Sequence, residues 1–72
     1  MESAYVTYET ARKIARTCAT QGQDLNTVKE NGGLLLKTGA KLIFDPYKRE
    51  WRVTGYAWDG SDVAAILRQV IS

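Results

Sequence analysis

A chain of 72 residues with ten Lys plus Arg against eight Asp plus Glu carries a net charge of +2. That is too small for a protein that coats nucleic acid without specificity, and of the wrong sign for an acidic DNA mimic. With no histidine and a single cysteine, Cys18, the composition excludes Ser–His–Asp and Cys–His catalysis, Cys/His zinc sites and an internal disulfide.

A domain of this length buries only about 60 to 65 per cent of its unfolded surface, so its core is modest. The 44 per cent hydrophobic content, one proline and lack of a low-complexity tract read as a single folded domain over residues 1–72. The amino-terminal MESAYVTYE has an acid at Glu2 and no apolar h-region, and the longest unbroken hydrophobic run is Val63 to Leu67. Neither secretion nor membrane spanning is expected, and a lone cysteine implies no oxidising compartment, so the expected location is cytoplasmic.

Taken in chain order, Tyr8, Ala11, Ile14, Ala15, Cys18 and Ala19 recur at helical spacing, predicting a helix from Tyr8 to Thr20 with Thr7 as N-cap and Gly22 just past its end. Its other face carries Arg12, Lys13 and Arg16, with Glu9 one turn before Lys13. This basic face suits phosphates or, on the simpler reading, a solvated and internally paired helix surface. Cys18 falls on the apolar stripe and reads as a buried, inert thiol.

The stretch QGQDLNTVKENGG predicts a short helical turn capped by Asp24, offering Leu25 and Val28 to the core and stopping at Asn31, Gly32 and Gly33. A helix-turn-helix over ARKIARTCATQGQDLNTVKE is disfavoured, because polar Gln21 and Gln23 stand where the two helices would lock together. The glycine pair precedes a strand rather than a helix, the wrong context for a phosphate cradle.

Leu34 to Lys37 and Ala40 to Phe44 are strand-like, divided by Thr38 and Gly39 as a tight turn or as a bulge in one bent strand. The turn DPYKRE leads to a predicted strand from Trp51 to Trp58, with Asp45 before Pro46 as its initiation signal. Strand alternation puts Trp51, Val53 and Ala57 on one face, with Leu42, and puts Arg52, Thr54, Tyr56 and Trp58 on the other, with Lys41 and Ile43. Finally, Asp59, Ser61 and Asp62 precede a stripe of Val63, Ile66, Leu67 and Val70, and Arg68 near the end suits the dipole of a carboxy-terminal helix. Capping is the preferred role of these acids over Mg²⁺ binding, which needs further convergent ligands.

The expected fold is a small two-layer α+β domain: an N-terminal helix, a short helical turn, a two- or three-stranded antiparallel sheet and a C-terminal helix. No constellation unites a nucleophile, an activator and a stabiliser, so no enzymatic activity, cofactor or metal is expected.

The densest unexplained feature is the window DPYKREWRVTGYAW, residues 45–58, which holds four of the seven aromatic and three of the ten basic residues. Tyr47, Lys48, Arg49, Arg52, Tyr56 and Trp58, with Lys41, are the residue types that dominate binding surfaces. The alternative is that Tyr56 and Trp58 lie beneath a helix.

The leading functional expectation is a non-catalytic protein-binding module, an inhibitor or adaptor that occludes a surface of a larger complex. In size and absence of chemistry it resembles the accessory proteins of phages and mobile elements, anti-CRISPR proteins among them; the resemblance lies in these general features and in no motif. The runner-up is nucleic-acid binding, with Arg49 and Arg52 reaching bases or phosphates, Lys48 and Lys41 neutralising backbone, and Tyr56 or Trp58 stacking. A sheet followed by a helix is similar to AP2-like DNA-binding domains, although this chain has fewer strand arginines. A third expectation is a homodimer that buries a sheet edge or its aromatic face against a second copy.

Overall fold

The structure, a computed structural model, describes Ser3 to Ile71; Glu2 lies outside the described residues. The elements are β1 (Ser3–Val6), α1 (Tyr8–Thr17), α2 (Leu25–Asn31), β2 (Leu34–Leu35), β3 (Lys41–Asp45), β4 (Glu50–Thr54) and α3 (Ser61–Ile71). This is a small α+β domain with a four-stranded antiparallel sheet in the order β1-β4-β3-β2.

Helix α1 starts where Thr7 Oγ1 accepts the Thr10 N–H, and it ends at Cys18, earlier than the apolar spacing predicts. The reason is tertiary: Ala19 bridges Leu36 and the Cys18 carbonyl accepts the Lys37 N–H, so the chain leaves the helix to join the sheet's edge. Tyr8, predicted on the buried stripe, is exposed, and the stripe is buried only from Ala11 onward. Asp24 caps α2 by accepting the Thr27 N–H, and Gly32 closes it at φ 81°, a left-handed conformation that costs glycine nothing.

One core unites Ala11, Ile14 and Ala15 of α1, Leu25 and Val28 of α2, Val63, Ile66 and Val70 of α3, and the sheet residues Leu34, Leu36, Leu42, Trp51 and Val53. Phe44 sits opposite Trp51 in the ladder and meets its ring edge-on at 5.2 Å. Cys18 is buried as expected, its Sγ 3.6 Å from Gln69 Oε1. Thr38 and Gly39 form a turn between two separate strands rather than a bulge.

Two expectations about the sheet are corrected. First, Ser3–Val6 forms a strand that pairs with β4 along its length. Second, β4 ends at Thr54, and Tyr56, Ala57 and Trp58 belong to a loop. Strand parity therefore holds as far as Thr54 and says nothing about the two aromatic residues beyond it. No described helix is long and apolar enough to cross a membrane.

Candidate functional site

The helices cover one sheet face and leave the other open. Across that open face the register aligns Tyr5, Arg52 and Ile43 in one row, and Ser3, Thr54, Lys41 and Leu35 in the next. Tyr5, which the sequence reading did not single out, organises the first row. Its hydroxyl donates to Asp45 Oδ2 at 3.1 Å, and its ring lies under Lys48 Nζ at 4.8 Å and beside Arg52 Cζ at 5.9 Å. These distances suit cation–π attraction, worth about 0.5–1 kcal/mol each at such a surface. Arg52 is half-buried, and its Nε has no hydrogen-bond partner among the described residues. The β-prone pair Tyr5-Val6 just before the Thr7 cap is the signal that marks this strand.

The predicted binding residues separate into two groups. Tyr47, Lys48 and Arg49 occupy the β3–β4 turn, where Asp45 Oδ1 accepts the N–H groups of Tyr47 and Lys48. Asp45 thus shapes the turn, as its position before Pro46 implies. Arg49 adopts φ 55°, a conformation that disfavours a bulky side chain by roughly 1–2 kcal/mol. Tyr56 and Trp58 lie beyond the other end of β4, about 17 Å away along a five-residue strand. Arg52 stands between the groups, and Lys41 pairs with Thr54 at the Tyr56 end.

The loop after β4 is the more constrained group. Asp62 Oδ2 accepts the Tyr56 N–H at 2.8 Å and the Ala57 N–H at 3.2 Å, while its Oδ1 accepts the Val63 N–H. The Gly60 N–H donates to Ala57 O and closes a tight turn with Trp58 at its corner. Asp59 accepts the Ser61 N–H, and Thr38 Oγ1 donates to the Asp62 carbonyl, tying the loop to the β2–β3 turn. Gly55 is buried, and a Cβ there would overlap the Asp62 carboxylate. The loop backbone is therefore fixed, while Tyr56 is 68% and Trp58 86% exposed.

Hydrogen bonds from backbone N–H groups, Tyr56 first, hold the Asp62 carboxyl below its ordinary value of 3.8 against the opposing effect of burial. Asp24, Asp45 and Asp59 are lowered too, chiefly by the N–H groups of Thr27, Lys48 and Ser61. A carboxyl depressed on folding contributes stability that is complete above its unfolded value and lost as pH falls through the folded one. Thermal melts should therefore hold steady above about pH 4 and drop progressively below it. In an Asp62→Ala variant this acid dependence should be shallower, and melting at pH 7 should be lower by roughly 5 °C. Faster amide exchange at Tyr56 and Ala57 would locate the change in the loop.

On α1, Lys13 reaches away from Glu9 and donates to the Val70 carbonyl of α3 at 3.1 Å, where it caps that helix's final turn. Arg12, Lys13 and Arg16 of the secondary basic face predicted for α1 are all exposed, with the Lys13 ammonium drawn toward the end of α3. Among the described residues, no three His, Cys, Asp or Glu side chains converge as metal ligands. Set beside known proteins, the chain matches no protein-family model, no curated protein and no solved structure, so its site is argued from its own geometry.

Proposed function

We propose that this chain is a non-catalytic protein-binding module, an inhibitor or adaptor that occludes a surface of a larger complex in the cytoplasm, in the manner of phage and mobile-element accessory proteins. The single observation that carries the reading is the Trp58 ring, 86% exposed on a turn whose backbone Asp62 holds in place. A large ring on a prearranged loop enters a partner's pocket with little ordering cost, the usual character of an interface anchor. Tyr56 and the open sheet face, with Leu35, Ile43, Lys41 and Arg52, supply a surrounding surface of mixed charge and apolar area. Immobilised wild-type protein, exposed to lysate of its source cells, should enrich a partner that a Tyr56→Ala/Trp58→Ala variant of unchanged melting temperature does not. Equal enrichment by both proteins would refute the assignment.

A second reading, nucleic-acid binding, draws on the cluster of Lys48 and Arg52 around the Tyr5 ring, with Lys41 on the same sheet face. An aromatic ring among cations on an antiparallel sheet suits base stacking beside phosphates. Titration of labelled single-stranded and duplex DNA at two salt concentrations tests it. This reading requires binding that weakens steeply as salt rises, and absence of binding at low salt removes it.

A further inference from the structure

The two edges of the sheet are treated differently. At one, β2 is only two residues long, and its continuation is covered: Leu36 bridges Ala19, and the Lys37 N–H donates to the Cys18 carbonyl. At the other, β1 pairs with β4 on one side, and no element follows it in the sheet order. Among the described residues, no backbone hydrogen bond outside the β4 ladder satisfies Ser3 to Val6. Edge strands are ordinarily blunted by charge, proline, a bulge or brevity. The sequence Ser3-Ala4-Tyr5-Val6 has neither charge nor proline, and its pairing with β4 runs through four consecutive residues without a bulge.

We infer that β1 is the contact through which two copies of this chain associate, by antiparallel β1–β1′ pairing about a two-fold axis at Tyr5. Directly opposed residues on neighbouring antiparallel strands point to the same face, so a continuous sheet with the helices of both copies on one side requires like parity at every pair. Centring on Tyr5 meets this condition. Tyr5 stands opposite Tyr5 of the second copy on the open face, and Ser3 opposite Thr7, whose backbone is also extended. On the helix-covered face Ala4 stands opposite Val6 and Val6 opposite Ala4. Both are partly buried against their own core, so the pairing extends each core across the junction. The occupant is a second copy because the strand complements itself: small Ala4 meets larger Val6 at both symmetry-related positions, and no charge opposes its own image.

Two short strands bury far less than the roughly 1,200 Å² of a firm interface, so the dimer is a weak one that forms in the micromolar-to-millimolar range. Sedimentation equilibrium of the wild-type protein across that range should show a reversible monomer–dimer exchange. Tyr5→Lys, which sets like charges directly opposite at the axis, should shift the midpoint at least about tenfold toward higher concentration. Register is read by disulfide trapping. The Cβ atoms of directly opposed residues lie about 4.5–5.5 Å apart, and only a residue on the axis opposes its own copy. Oxidised Tyr5→Cys should therefore cross-link at least about tenfold faster than Tyr47→Cys, which is 96% exposed and reports random collision. Cys18 is buried and stays out of the reaction. A wild-type protein that remains monomeric to millimolar concentration would overturn the inference, and that measurement requires no variant to fold. Cross-linking of Tyr5→Cys no faster than Tyr47→Cys would overturn it equally.

Discussion

Trp58→Ala is expected to weaken binding to the partner by about 30-fold or more, equivalent to about 2 kcal/mol, while leaving the fold intact. Trp58 contributes little to the folded chain's own packing, since 86% of it meets solvent. Removing an exposed side chain away from caps and core changes stability by about 0.5 kcal/mol or less, so the melting temperature should stay within a few degrees. Affinity measured by titration calorimetry against the enriched partner, with melting of each protein alone, separates the two effects. Trp58→Phe should recover part of the affinity, because it restores a ring without the indole N–H. Unchanged affinity in Trp58→Ala would move the anchor elsewhere on the surface.

The other tryptophan should behave in the opposite way. Trp51→Ala is expected to cost about 3–5 kcal/mol. A domain of 72 residues has roughly 4–11 kcal/mol to lose, so much of this variant should be unfolded at 37 °C. Trp51 is 6% exposed, meets Phe44 edge-on, and stands between Val6 of β1 and Phe44 of β3 in the sheet. Its loss opens a cavity where three strands meet, and a domain this small has little other core to collapse into it. Circular dichroism during a urea titration measures the change. A midpoint close to wild type would mean that the sheet holds without this ring.

These opposite expectations for two tryptophans seven positions apart show where reading along the chain ends. Trp51 alternates with Val53 inside a strand, so its burial follows from parity and from the pairing of Phe44 with Trp51 across the Asp45–Glu50 turn. Trp58 falls on the opposite, open face in an extended reading, yet its strand has already ended at Thr54. What stops the strand is Asp62, eight residues from Thr54, whose carboxylate claims the Tyr56 and Ala57 N–H groups. Asp59, Ser61 and Asp62 read locally as capping residues for the helix that follows. Asp59 accepts the Ser61 N–H, and Asp62 accepts the Val63 N–H of the first turn with one oxygen but turns the other back onto the preceding loop, a choice that depends on the space Gly55 leaves beside it.

Local chemistry in the chain was sufficient for the caps at Thr7 and Asp24, the stop at Gly32, the Asp45 turn and the apolar stripe of α3. Each depends on partners only a few residues away, and side-chain type and spacing state such requirements directly. Assembly in space decided the pairing of Ser3–Val6 with β4, the early end of α1 at Cys18, the redirection of Lys13 to the Val70 carbonyl, and the union of Tyr5 with Lys48 and Arg52. Those contacts join residues from 19 to 57 positions apart, and any of the groups could have satisfied itself nearer home. Only the packing of helices onto one face of the sheet selects which distant partner comes within reach.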